Sequence, residues 1–231
     1  MDTNHEEGEA YRMTRYELLT PQTHFDAVIL ANGTFPTHAL PLGLLHQAKH
    51  VFCCDGAITE LSRHTDIVPD AIVGDCDSLS PEMQQSYASI IHHVSEQDYN
   101  DLTKATRYAL FAMGNKSNRT FCYLGATGKR EDHTLGNISL LAYYYQELGV
   151  QPFMVSDYGY FIVAHGDCIF SCQKGQEFSV FNISCSHLSS EGLRWQLYPF
   201  KSLWQGTLNQ TLGSEVHISG DGLYAVYLPF T

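Results

Sequence analysis

Gly74-Asp75-Cys76-Asp77-Ser78 follows the apolar run Asp70-Ala71-Ile72-Val73, and this junction decides the fold. A short β-branched run that stops at glycine and then turns acidic reads as a strand with carboxylates at its carboxyl end. The same grammar recurs along the first half of the chain. His50-Val51-Phe52-Cys53-Cys54 stops at Asp55-Gly56, and Ile90-Ile91-His92-His93-Val94 leads to Gln97-Asp98-Tyr99-Asn100-Asp101. Asp26 to Ala31 stops at Asn32-Gly33, and Thr120 to Leu124 stops at Gly125. Helical stretches fit between several of these runs, which predicts βαβ units and a Rossmann-like, mostly parallel α/β sheet. In such a sheet ligands bind outside the carboxyl ends of the strands. Carboxylates gathered there repel one another unless a cation shares them, so the pattern predicts a metal–phosphate site.

Two helices can be drawn residue by residue. Leu102, Ala105, Thr106, Ala109, Leu110 and Met113 form one buried stripe, with Asn100 as N-cap and Gly114-Asn115 as the stop. Asp101 and Lys104 flank that stripe in its first turn, towards the strand ends. A second helix is expected from about Asp132 to Leu148, with Leu135, Ile138, Ala142 and Tyr145 inward and Gly149 ending it.

After Gly149 the pattern changes to short aromatic and β-branched runs. Examples are Phe153-Met154-Val155, Tyr160 to Val163, Phe178 to Phe181 and Leu223 to Leu228. Gly220-Asp221-Gly222 separates the last two runs in the manner of a hairpin loop. These features predict a C-terminal antiparallel β-sandwich. The expected organisation is a polar extension over residues 1–24, an α/β domain over 25–152 and the sandwich over 153–231.

Composition narrows the function. The chain has 231 residues, 44% of them apolar, enough for a real core. A formal net charge of -12 disfavours nucleic acids and anionic membranes as partners. It leaves phosphorylated substrates open, because a bound divalent ion reverses the local sign. Met1 to His24 has no apolar core of a signal peptide, and no apolar run nears the ~20 residues of a membrane span. A cytoplasmic protein is expected, with its seven cysteines as buried reduced thiols. Cys168 and Cys172 lack the second ligand pair of a zinc site.

Three motifs carry the chemistry, each with a plainer alternative. Asp75 and Asp77 form an Asp-x-Asp; read as extended chain, both carboxylates face one ion, whereas a surface turn capping a helix near Pro81 explains them equally. Asp98, Asp101 and Lys104 either serve a site or are the acids and ion pairs that helix starts favour. Gly125-Ala126-Thr127-Gly128-Lys129-Arg130-Glu131-Asp132-His133 lies between a strand and a helix. There a glycine loop can offer backbone N–H groups, and Lys129 and Arg130 charged donors, to phosphate. It is not a Walker loop, and as a plain polar loop it would simply cap the helix with Asp132.

In order along the chain, Asp55-Gly56, Gly74-Asp75-x-Asp77-Ser78, Gln97-Asp98-x-x-Asp101-x-x-Lys104 and Gly125-x-x-Gly128-x-Arg130-x-Asp132-His133-x-x-x-Asn137 resemble the thiamine pyrophosphokinase family. Gly192-Leu193-x-Trp195-x-Leu197 is similar to that family's β-domain. The resemblance implies transfer of a pyrophosphoryl group from ATP to the thiamine hydroxyl, with Mg2+ and a homodimer whose active site is shared between subunits. It implies that Asp75, Asp77 and Asp101 hold magnesium, with Asp55 and Asp98 close by and Lys104 supplementing the charge. It also implies that Asn32 borders the phosphates, that Gln97 meets the pyrimidine and that Arg130 and Asp132 organise the nucleotide end. The sequence departs from the family at Ala57 and Lys129, where glycine is common. The family's Ser-Asn pair is replaced by Gly206-Thr207-Leu208-Asn209, leaving Trp204, Thr207 and Asn209 as candidates for thiamine; Trp204 reads equally as a core residue.

Two rival classes use similar residues. A nucleotide-sugar transferase would also place an Asp-x-Asp and Mg2+ below a parallel sheet. A non-catalytic ligand sensor would keep the fold, but an acidic cluster without a ligand is electrostatically costly.

Overall fold

The computed structural model describes residues 13–230. Residues 1–12 of the expected polar extension lie outside the described residues, but its later part holds a strand, β1 (Thr14–Tyr16). The α/β half then alternates as expected: β2 (Ala27–Leu30), α1 (Ala39–Gln47), β3 (Val51–Cys54), α2 (Ala57–His64) and β4 (Ala71–Gly74). It continues through α3 (Pro81–Ser86), β5 (Ile91–His93), α4 (Asp101–Ala112), β6 (Arg119–Leu124), α5 (Glu131–Glu147) and β7 (Val150–Val155). These strands pair in parallel in the order β5-β4-β3-β2-β6-β7. Every residue of β2, β3 and β4 is buried, because helices cover both faces of a parallel sheet.

Local chemistry sets the helix starts. Asn100 Oδ1 accepts from the Thr103 N–H at 3.0 Å, and Ser80 accepts from Met83 ahead of a proline in the first turn of α3. Gly149, at φ 62°, takes the left-handed position that ends α5. The face that α5 buries differs from the expected one. Leu135 is 64% exposed, Ile138, Ala142 and Tyr145 are half-buried, and the buried residues are Asn137, Leu141 and Tyr144. Apolar periodicity treats an asparagine as outward. Here its amide anchors the helix, and Tyr144 follows it inward to stack on Tyr123 with rings 5.4 Å apart.

The last third supplies β8 (Gly159–His165), β9 (Cys168–Ser171), β10 (Glu177–Asn182), β11 (Leu188–Glu191), β12 (Asn209–Gln210), β13 (Glu215–Gly220) and β14 (Leu223–Pro229). β7 pairs with β6 on one side and antiparallel with β8 on the other, so a single sheet runs through both halves. The expected division between residues 152 and 153 falls inside β7. Beyond β8 the sheet adds β14, β10 and β12, and a second sheet of order β1-β9-β13-β11 covers this antiparallel end. Phe170 sits between the layers, stacked on Tyr16 at 5.0 Å and edge-on to Phe178 at 5.9 Å.

The expected hairpin at Gly220-Asp221-Gly222 is instead a crossing between sheets: β13 pairs with β9 and β11, β14 with β8 and β10. The turn is held from outside. Asp221 accepts the backbone N–H groups of Ser186 and His187, both at 2.8 Å, and Gly222 packs where a Cβ would strike Ser184. All seven cysteines are buried free thiols, and burial lifts their pKa values. Among the described residues, no helix is long and apolar enough to cross a membrane.

Candidate active site

A cleft of about 390 Å³ opens at the carboxyl ends of β2, β3, β4 and β6. At β3-β2-β6 the strand order, not the strand direction, switches, and the helices that follow β2 and β6 pack in the two different core clusters of the sheet. The cleft is lined by Asn32 and Gly33, Cys54, Asp75, the segment from Gln97 to Lys104 without Asp98 and Thr103, and Gly125, Gly128, Lys129, Arg130 and His133.

Asp55, Asp75 and Asp77 each bring a carboxylate oxygen within 4.8 Å of the others. The extended geometry expected for Asp75 and Asp77 is replaced by a turn. Cys76 takes φ 59°, and the Asp77 N–H points back at Asp75 Oδ1, 3.4 Å away. That N–H holds the Asp75 carboxyl below its usual pKa. Asp55 enters at the tight turn after β3, with φ 23°, and Gly74 leaves room for it. Its Oδ2 accepts from Ser78 Oγ at 2.6 Å, while its buried Oδ1 has no partner among the described residues. Burial, opposed by Ser78 and reinforced by the neighbouring aspartates, raises the Asp55 pKa. Three converging oxygens, one of them orphaned, fit a hard divalent cation such as Mg2+. Asp101 lines the cleft outside this trio, 3.4 Å from Lys104 Nζ, whose side chain is only 3% exposed. Asp98 is exposed and does not line the cleft.

The loops after β2 and β6 are zipped by backbone bonds. Gly33 N–H donates to Gly125 O at 2.7 Å and Thr34 N–H to Thr127 O at 2.9 Å. A Cβ on Gly33 would overlap both carbonyls, so this approach requires glycine. Thr127 therefore contributes backbone rather than a wall of the cleft. Lys129 sits at φ 61°, where glycine is the easier residue, and its Nζ donates to Asn32 O at 3.0 Å and Asn32 Oδ1 at 3.2 Å. Arg130 makes a two-pronged exposed pair with Asp132 at 2.6 and 3.1 Å, which lowers the Asp132 pKa to about 2. Asp132 itself does not line the cleft.

Gln97 lies near the acids, with Nε2 3.5 Å from Asp75 Oδ2. Sequence reasoning did not single out Gly33, Cys54, Tyr99 or Asn137 as site residues. Asn137 accepts from Asn100 Nδ2 at 3.0 Å and donates to Ala126 O at 2.8 Å, tying two helices to the glycine loop. Tyr99 carries the Arg107 guanidinium over its ring at 3.7 Å. Asn137 had a signal, its fixed place in the motif; Tyr99 had only its neighbourhood.

The C-terminal candidates lie apart from this cleft: Trp204, Thr207 and Asn209 are not among its walls. Trp204 is 75% exposed on a short 3-10 turn, which removes the core reading. Asn209 is buried, with its amide bonded to both the N–H and the carbonyl of Trp195, so it holds a loop in place.

The thiamin pyrophosphokinase catalytic domain matches residues 42–151 and the thiamin pyrophosphokinase substrate-binding domain matches residues 159–227. Thiamine pyrophosphokinase 1 of Oryza sativa subsp. japonica is 31% identical over 57% of this chain and 55% of its own length. Thiamin pyrophosphokinase 1 of Caenorhabditis elegans is 30% identical over 42% of each chain. The chain thus spans about half the length of the curated relatives it matches, or less. Thiamin pyrophosphokinase from Candida albicans shares the fold at 19% identity, with a TM-score of 0.77 over 95% of this chain and 93% of that one. The yeast enzyme gives 0.76 at 15% identity, over 94% and 91%. Catalytic and substrate-binding models in this order, together spanning well over half the sequence on the matching fold, place the chain in the thiamin pyrophosphokinase family.

Proposed function

We propose that this chain transfers a pyrophosphoryl group from ATP to the hydroxyl of thiamine, releasing AMP. The supporting observation is the trio Asp55, Asp75 and Asp77, with its orphaned oxygen, beside a glycine loop bearing Lys129 and Arg130. The trio would hold Mg2+, and the bound ion would neutralise charge on the phosphate oxygens. Lys104, Lys129 and Arg130 orient the same oxygens, and the bare backbone at Gly125 and Gly128 lets the chain approach them.

The thiamine oxygen attacks the β-phosphorus as the bond from that phosphorus to the bridging oxygen breaks. AMP leaves with that oxygen, and the hydroxyl proton passes to a carboxylate of the cleft. Such a displacement needs placement and charge neutralisation more than covalent help. Asp101 adds charge from the first turn of α4 while keeping Lys104 in position. Gln97 and Tyr99 line the cleft where the pyrimidine would lie. Trp204 and Thr207 are exposed and do not line this chain's cleft, and in a homodimer a second copy would bring them to thiamine.

Incubation of protein with ATP, Mg2+ and thiamine, followed by chromatography, tests the reading. AMP that forms only with thiamine supports it. ADP, no product, or turnover of UDP-sugars instead would overturn it.

A further inference from the structure

The irregular segment between β5 and α4 brings Gln97, Tyr99 and Asn100 to the cleft wall. Its residues 95–99 make no backbone-to-backbone hydrogen bond among the described residues, so side chains must fix its path. Asn100 is held by its capping bond and by Asn137. Gln97 is held loosely, with Nε2 3.4 Å from Ser95 O and 3.5 Å from Asp75 Oδ2. Tyr99, between them, is gripped twice. Its N–H donates to Glu96 Oε1 at 2.7 Å, and the Arg107 guanidinium lies over its ring, 3.7 Å from the centroid. The same guanidinium donates from Nη2 to Tyr143 Oη at 2.7 Å, and the Tyr143 ring lies 6.4 Å from that of Tyr99 with planes 23° apart. Arg107 and Tyr143 do not line the cleft.

We infer that Arg107 is a positioning residue for the reaction: it clasps Tyr99 to α4 and α5 and thereby fixes the loop that carries Gln97. This rests on the function proposed above. Arg107 stands on α4 and Tyr143 on α5, and both helices pack into the same core cluster against the sheet. The clasp therefore ties a segment without backbone pairing to two rigid elements.

The geometry calls for arginine. A planar guanidinium can lie flat on one ring and donate in its own plane to a second phenol, whereas a lysine ammonium has no flat face to stack. Without that grip the ring of Tyr99, at the rim of the cleft, moves with its loop. Each loosened conformation lowers the fraction of molecules whose cleft wall is in place, and the apparent affinity and rate fall by that fraction. Arg107 thus acts through Tyr99 rather than on the reacting atoms.

Arg107→Met keeps the apolar stem of the side chain and removes the guanidinium. Limited chymotrypsin digestion of this variant is expected to cut after Tyr99 about tenfold faster than in wild type, with cutting elsewhere unchanged. The melting temperature is expected to fall by no more than about 4 °C. The kcat/KM for thiamine is expected to fall about tenfold, with the KM for ATP unchanged. In a Tyr99→Leu background Arg107→Met should lose nothing further, because the guanidinium then has no ring to hold. Unaltered cutting after Tyr99, an unaltered kcat/KM, or an equal loss in the Tyr99→Leu background would each overturn the inference. Normal AMP formation in wild type alongside any of these results would sink this inference alone, whereas absence of AMP formation in wild type would remove the proposed function beneath it.

Discussion

Asn100 Nδ2 lies 3.0 Å from Asn137 Oδ1, and through this one bond the N-cap of α4 is fastened to α5. Asn100 uses its other amide atom to cap α4, and Asn137 uses its own to hold Ala126 O at 2.8 Å. Two asparagines thus fix the acidic helix start and the glycine loop to each other. Asn137→Ala leaves the buried Ala126 carbonyl and the Asn100 amide unpaired. Unfolding in urea should show a loss of about 1–3 kcal/mol, with no change of fold by circular dichroism.

The metal reading is tested through stability as well as rate. Saturating Mg2+ should raise the melting temperature of wild type, by about 2.7 kcal/mol of stabilisation at a hundredfold excess over Kd. Asp55→Asn should remove that rise. Asp77→Ala should cost a thousandfold or more in rate, roughly 4 kcal/mol of barrier. Calorimetry with and without Mg2+, and turnover of the purified variants, check these outcomes.

Asp55 also makes a pH prediction for the metal-free protein. Its pKa is raised in the folded state, so the folded chain binds that proton more tightly than the unfolded one. Its contribution therefore favours folding as pH falls through the raised value towards the ordinary carboxylate range, and weakens as pH rises again. The stability of wild type minus that of Asp55→Asn should show this slope, and the slope should vanish when Mg2+ is present.

Asp221 has the opposite sign. The His187 N–H, with Ser186 and the His187 ring, holds its carboxyl far below the usual range. Stability from this clamp is present at neutral pH and is lost as pH falls through the depressed value. Asp221→Asn should lower the melting temperature at pH 7 and converge with wild type in strong acid, as thermal scans across pH would show.

If the active site is shared, two inactive variants should rescue one another. Asp77→Ala and Trp204→Ala, mixed and allowed to exchange subunits, should regain about a quarter of the wild-type sites, since random pairing completes one site in each mixed dimer. No recovery, with mixed dimers demonstrated by mass spectrometry, would confine the site to one chain.

The parallel half was legible because each strand announces its own end: Val73 before Gly74, Cys54 before Asp55, Leu124 before Gly125. The start of α4 was legible from Asn100 and the apolar stripe behind it. The phase of α5 was not, because hydrophobic counting sends Asn137 outward while its hydrogen bonds pull it in. The crossing at Asp221 resembles a hairpin locally, and only pairing to strands far along the chain separates β13 from β14. Asp55 looked the weakest acid in sequence, a lone aspartate before glycine. Its importance comes from Gly74 at the end of the neighbouring strand and Ser78 in the turn that follows it, which no local window contains.

The pairing of Thr14 with Cys168 has a bearing on how the chain is made. β1 leaves the ribosome long before β9 exists, so Tyr16 does not have Phe170 to stack on while the Rossmann-like half is being completed. Closure of the smaller sheet is thereby a late event in biosynthesis, and until it happens an aromatic side chain destined for the interior stays available to chaperones.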